Sequence, residues 1–249
     1  MFSVPLSALL FTLGGSAILL TLTLLMQQYY GLKLGWQPLI AGLRAVVQLA
    51  ALSIILHGVV QSVWFAVLFV IVMMTIASVT SARRNKQLPL GMRSVPTAIF
   101  IAATITITFV FVFRMLDFSV SNLIAVGGIV TGNCMSATTL AGRRFADTSR
   151  AQRGQVEAWF ALGAAPAKAF QEVSQTAMRE MLIPKIDQTK NTGLVTLPGA
   201  FVGALLGGAV PLQAARFQLV VLIAIMFAQT LAAIIQTTVL SRATVIIAD

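Results

Sequence analysis

The sequence predicts an all-α polytopic membrane protein with about seven transmembrane helices, its N-terminus outside and its C-terminus in the cytoplasm. Three observations carry this. The 249 residues are 58% hydrophobic and 10% charged, with mean hydropathy +0.92, whereas soluble domains carry about 25% charged residues. The charges that exist lie between long uncharged runs. One polar stretch, Gly142–Lys190, holds eight of the 17 basic and five of the seven acidic residues, a density that predicts water or a protein partner rather than lipid.

About 20 apolar residues cross the hydrocarbon core. Span 1 is expected over about Leu6–Gln27. The first basic residue is Lys33, so uncharged Met1–Leu32 reads as a span that stays rather than a cleaved signal. Span 2 is expected at Pro38–Leu56, a tight turn at His57, Gly58 and Gln61, and span 3 at Ser62–Ser81. After the basic loop Arg83–Arg93, span 4 is expected at Val95–Phe113. Arg114 and Asp117, three apart, are expected to pair. Span 5 is expected at Ser119–Leu140, span 6 at Thr192–Gly208 and span 7 at Phe217–Leu240. Placing the basic loop and the polar stretch inside leaves fourteen Lys and Arg inside against Arg114 and Arg216 outside, a strong positive-inside bias. The +10 net charge belongs to this bias and is no nucleic-acid signal. The whole chain, 1–249, reads as a single transmembrane domain.

The polar stretch reads as a cytoplasmic helical hairpin between spans 5 and 6. Ser149 and Gln152 have capping-box spacing, so a helix should start near Arg150. Gly163 fits its C′ position and Pro166 the N1 position of the next helix. In that helix Phe170, Val173, Ala177 and Met181 share one side, and Pro184 should end it. Such a hairpin is either a lever or a solvated loop.

Candidate pathway residues lie within the spans. Arg44 sits about two turns into span 2 with Gln48 one turn on. A charge there faces protein or a wet cavity, or snorkels to the surface. Thr131–Ser136 brings Asn133, Cys134 and Met135 together: thiolate and thioether suit soft metals, amide oxygen harder ones, and helix–helix packing would use the same residues. No metal ligand set is nominated. Pro198 and Gly199 break span 6 near its start, and Gly199, Gly203 and Gly207 form successive GxxxG units for close helix packing or a hinge. An enzyme is not expected: the only His is His57, the expected spans contain no Asp or Glu, and no GxxxxGK[ST] phosphate loop occurs.

Several stretches resemble the FetB family of ABC transporter permeases. They are Gly42–Gln48, Gly132–Met135, Gln155–Ala169, Met178–Pro184 and Thr192–Gly199. The resemblance covers most of the chain beyond Leu34. It implies a permease that works as a homodimer in the bacterial inner membrane beside a separate ATPase subunit, which hydrolyses the ATP. It further implies export of iron or a related metal, with plant relatives linked to aluminium resistance. Glu157-Ala158 followed by Leu162-Gly163 also looks like the first half of the loop by which importer permeases dock onto their ATPases, although Pro184 falls later than that pattern expects. The ATPase contact is therefore expected at Glu157, Trp159, Phe160, Gly163, Ala164 and Ala165. Other readings are an ABC permease for an organic solute such as a nucleotide sugar, or a secondary transporter or channel.

Overall fold

A computed structural model describes residues 6–59 and 62–244. The described residues form ten helices in chain order: α1 (Leu6–Tyr29), α2 (Gln37–Val59), α3 (Val63–Arg84), α4 (Gly91–Val112), α5 (Val120–Ala151), α6 (Arg153–Ala161), α7 (Pro166–Ala169), α8 (Gln171–Lys190), α9 (Gly199–Leu206) and α10 (Pro211–Leu240). Six of these, α1 to α5 and α10, are long and apolar enough to cross a membrane. The chain divides into two compact units, Met1–Gln61 and Ser62–Asp249.

The first unit is the α1–α2 pair. Its connection turns through positive φ at Gly31, Lys33 and Gly35. At Gly42 the two helices come close: an added Cβ would stand 2.8 Å from Leu20 Cδ1. Almost every described side chain in the unit is exposed, and they are overwhelmingly apolar, as lipid or protein contact in a bilayer demands. His57 and Gly58 belong to the last turn of α2, so the helix runs through the expected turn; Gln61 lies outside the described residues.

The second unit is a bundle of α3, α4, α5 and α10 with α8 laid along it. Its core is built of small residues. Ala102, Ala103, Ala228 and Ala232 are fully buried with Val95, Ile99 and Cys134, and such residues let helix backbones approach within a membrane. Phe109 on α4 stacks on Phe227 of α10 at 5.8 Å. At one end Arg216 Nη2 donates to the Met115 carbonyl at 3.2 Å. At the other, Leu88, Phe145 and Leu240 gather around Phe170 and Val173. The expected Arg114–Asp117 ion pair is absent. Arg114 instead takes a left-handed φ of 51° in the turn after α4, and the Asp117 carbonyl receives Asn122 Nδ2.

Three expectations in and just after the polar stretch are corrected. The hairpin's first helix, α6, starts at Arg153 with Gln152 before it rather than at Arg150, because α5 continues to Ala151 with Ser149, the expected cap, buried in its last turn. Its hydroxyl has no hydrogen-bond partner. Pro184 does not end the second helix, which runs on to Lys190 with Pro184 inside. Proline removes one backbone donor and crowds the preceding turn, but Met181 and its neighbours pack on α5 and α10 and hold the helix together. Thr192–Gly208 is not one span. Gly193 takes a φ of +85°, only Gly199–Leu206 is helical, and eight residues rise about 12 Å at 1.5 Å each, well short of a hydrocarbon core of about 30 Å.

Candidate translocation path and coupling hairpin

The hairpin is anchored at the end of the bundle that carries Arg83–Arg93. Phe170, Val173, Ala177 and Met181 are all buried, as their spacing predicted. Phe170 and Val173 enter a cluster with Phe145, Val156 and Leu240; Met181 meets Ala137 and Ala141 of α5 and Ala233 of α10. Arg144 Nε lies 3.2 Å from Glu180 Oε2 and ties α5 to α8.

The tip of the hairpin is a Schellman turn. Gly163 has a φ of +77°; its N–H donates to the Phe160 carbonyl and that of Ala164 to the Trp159 carbonyl. Both bonds are those of a glycine at C′. Pro166 opens α7 at its N-terminus. Trp159 and Phe160 part company here. Phe160 is half-buried, its ring 5.9 Å from that of Phe170. Trp159 is exposed with the Lys168 ammonium 5.3 Å from its ring centroid. Glu157 is tied within α6 to Arg153 Nε at 2.7 Å. Gly163 and Ala165 are exposed and Ala164 is half-buried. Beside this tip is an open groove of about 460 Å³ lined by Gln155, Trp159, Lys168, Glu172, Gln175 and Arg179. Gln155 Nε2 spans it to Glu172 Oε2 at 2.6 Å.

Within the bundle, Asn133, Cys134 and Met135 are consecutive on α5 and cannot share a face. Cys134 is fully buried, with Sγ 3.9 Å from the Ala228 carbonyl. Asn133 and Met135 are half-buried. Asn133 Nδ2 donates to the Ile129 carbonyl at 2.8 Å, and its Oδ1 accepts from Gln229 Nε2 at 3.2 Å. Gln229 belongs to a set that sequence reasoning missed. Gln218, Gln229 and Gln236 are all buried on α10, and each has an amide oxygen without a partner. Their separations of eleven and seven residues are about three and two helical turns, so they fall on one side; that spacing was the available signal. Arg44 and Gln48 lie on the first unit, exposed along α2. Among the described residues no three His, Cys, Asp or Glu gather as metal ligands would.

Pro198 caps α9, and Gly199, Gly203 and Gly207 follow along it. No residue of α9 is buried. An added Cβ at Gly199 or Gly203 would meet nothing within 4 Å, and at Gly207 only the carbonyls of its own turn. Among the described residues of the second unit, nothing packs against this glycine face.

A bundle of apolar spans with buried amides inside it and a polar helical hairpin docked at one end is the build of a multi-pass membrane transport protein. The chain belongs to the family described as Uncharacterised protein family (UPF0014), whose profile matches residues 10–245. It is 32% identical over 208 residues to the UPF0014 membrane protein STAR2 of Oryza sativa subsp. japonica, covering 83% of this chain and 73% of that one. It is 27% identical over 227 residues to Protein ALUMINUM SENSITIVE 3 of Arabidopsis thaliana, covering 90% and 83%. To the probable iron export permease protein FetB of Escherichia coli it is 27% identical over 194 residues, covering 77% and 75%. No solved structure matches.

Proposed function

We propose that this chain is the transmembrane permease subunit of an ABC transporter. It exports iron or a related metal ion across the bacterial inner membrane, driven by a separate ATPase subunit. The observation that carries the reading is the anchored hairpin. A rigid, polar, helix–turn–helix element joined to α5 and α10 through Phe170, Met181 and the Arg144–Glu180 pair is a part that a soluble ATPase can grip. Trp159, Gly163 and the groove beside them are its accessible surface, while Phe160 holds it to its base. The metal cargo rests on the name of the Escherichia coli relative. Asn133 and Met135 are assigned to the pathway in the second unit, with Cys134 setting the fit of α5 against α10; Arg44 and Gln48 of the first unit are proposed as pathway residues from their place in the sequence alone. With the basic loop and hairpin cytoplasmic, the end bearing Arg114 and Arg216 faces outward.

Copurification from membranes with the ATPase encoded in the same organism, followed by ATPase assays across a panel of metal ions and organic solutes, tests both halves. Metal-stimulated hydrolysis is expected. Stimulation by an organic solute alone would replace the cargo, and no ATPase association at all would remove the ABC reading. A second reading, ion-coupled secondary transport, is favoured by one finding: Asp187, expected in a solvated hairpin, lies on α8 beyond Met181, which packs on α5 and α10, and its carboxylate pairs with Lys190. Uptake or efflux that follows a proton or sodium gradient without ATP would select it.

A further inference from the structure

A second pocket opens at the hairpin end of the bundle and shares no residue with the groove beside Trp159. It holds about 170 Å³ and is lined by Arg84 at the end of α3, by Arg143 and Arg150 of α5, and by Asn85, Gln87 and Gly142. Among the described residues Arg84 and Arg143 make no ion pair. Arg150 makes only a long one: its Nη1 lies 3.8 Å from Oδ1 of Asp147, which also lines the pocket. Three guanidinium groups thus face one carboxylate. Like charges gathered around so small a space repel one another, and an anion between them removes the repulsion.

The floor of the pocket adds idle donors. The Gln87 N–H, in the turn after α3, has no acceptor among the described residues. Behind Gly142, Gln236 is completely buried with neither amide atom partnered, and its Nε2 lies 3.0 Å from where a Cβ on Gly142 would stand. Asn85 is buried too; its Nδ2 donates to the Ser81 and Thr138 carbonyls, which fixes the floor in place. Amide donors beneath guanidinium groups suit an oxyanion, and the planar fork of arginine meets phosphate oxygens two at a time. Depth narrows the choice. At 1.5 Å per residue, Arg143 stands about 35 Å along α5 from Val120, and Arg84 about 32 Å along α3 from Val63. Both distances just exceed a hydrocarbon core of about 30 Å, so the pocket lies at the level of lipid headgroups.

We propose that this pocket seats the phosphate of an anionic phospholipid headgroup, which bridges α3 to α5 at the base of the hairpin. Basic pockets between spans on the cytoplasmic side take such headgroups. The oxyanion is chemistry shared with free phosphate; the depth of the pocket selects the lipid. The inference takes from the transporter reading only that this end faces the cytoplasm. Its test needs neither ATPase nor cargo, so either can fail alone.

The test uses the full chain purified in a neutral detergent. Binding of fluorescent phosphatidylglycerol is read against phosphatidylcholine, and the melting point is read on the same sample. The natural protein is expected to prefer phosphatidylglycerol and to melt higher with it. Arg84→Gln combined with Arg143→Gln is expected to bind phosphatidylglycerol about tenfold more weakly. Without lipid it should melt as the natural protein does, since neither side chain has an ion-pair partner to lose. Arg83→Gln combined with Arg93→Gln removes the same charge from exposed positions outside the pocket and is expected to keep the preference. If the first pair melts early, Arg143→Gln alone decides by the same comparison. Equal loss in pocket and control variants, or no preference in the natural protein, overturns the pocket. Inorganic phosphate is the second probe, set against chloride at equal ionic strength because salt screens exposed charge. No effect on lipid binding is expected; displacement of the lipid by phosphate but not by chloride assigns the site to a free anion and overturns the headgroup.

Discussion

Gln229 on α10 donates a hydrogen bond from Nε2 to Oδ1 of Asn133 on α5, at 3.2 Å, while its own Oε1 is buried without a partner. The pair is thus half-satisfied. Taking away the Asn133 side chain leaves Gln229 Nε2 with only its long 3.5 Å bond to the Asn133 carbonyl and Oε1 with none, and an unmade buried hydrogen bond costs about 1–3 kcal/mol. Asn133→Leu is expected to lower the melting temperature in detergent, and adding Gln229→Leu to restore most of it. Equal, additive losses would show that the two amides act independently.

Gly142 is a point of close packing among three helices. An added Cβ would collide with the Asn85 side-chain oxygen and stand 3.0 Å from Gln236 Nε2. Asn85 cannot easily withdraw, since its Nδ2 donates to the Ser81 and Thr138 carbonyls at 2.9 and 3.3 Å. Gly142→Ala should therefore destabilise by about 1–3 kcal/mol, the usual cost of overpacking. Asn85→Ala in the same chain should recover part of the loss. A Gly142→Ala protein with unchanged thermal unfolding would contradict the packing.

Gly163 separates docking from folding. Its φ of +77° sits in open space, so a side chain meets no wall but incurs left-handed strain of about 1 kcal/mol, least for Asn. Gly163→Asn is expected to keep both fold and ATPase copurification. Gly163→Arg is expected to keep the fold and lose the ATPase. Thermal stability and copurification are measured on one sample. A lowered melting point with copurification intact would assign the turn to folding alone.

Sidedness is tested with cysteines at exposed positions. Lys86 and Lys168 are exposed at the hairpin end and Gln213 at the other; Asn85, beside Lys86, is buried and unsuitable. An impermeant maleimide should reach Gln213→Cys in intact cells, and Lys86→Cys and Lys168→Cys only after permeabilisation. Labelling of Lys168→Cys from outside would invert the orientation.

Six spans were legible because uncharged runs of span length admit few other uses. The buried face of α8 was legible from Phe170 to Met181 because packing repeats every three or four residues. What was not legible were the joints. Ser149 has the chemistry of a cap, and only the bundle decides that it is buried in the last turn of α5. Pro184 is a stop in isolation, and only contacts from α5 and α10 carry the helix past it. Uncharged Thr192–Gly208 has nearly the length and composition of a span, and hydropathy is blind to the left-handed turn at Gly193. In the candidate site, the sequence marked Asn133 but not Gln229, because the signal lies in the joint spacing of Gln218, Gln229 and Gln236 along α10 and not in any one of them. Trp159 and Phe160 looked equivalent as neighbours, and the fold turns one outward and the other toward Phe170.

The continuity of α5 has a geometric consequence. From Val120 to Ala151 it is one unbroken helix of 32 residues, about 48 Å at 1.5 Å per residue, with one end among the spans and the other joined to α6 through a single residue, Gln152. Such a rod has no flexible joint in which a displacement could be absorbed. Tilting it by about 10° about its hairpin end moves its far end by about 8 Å, given that length. A modest angular stroke at the hairpin is therefore delivered undiminished to the opposite end of the bundle, at Val120.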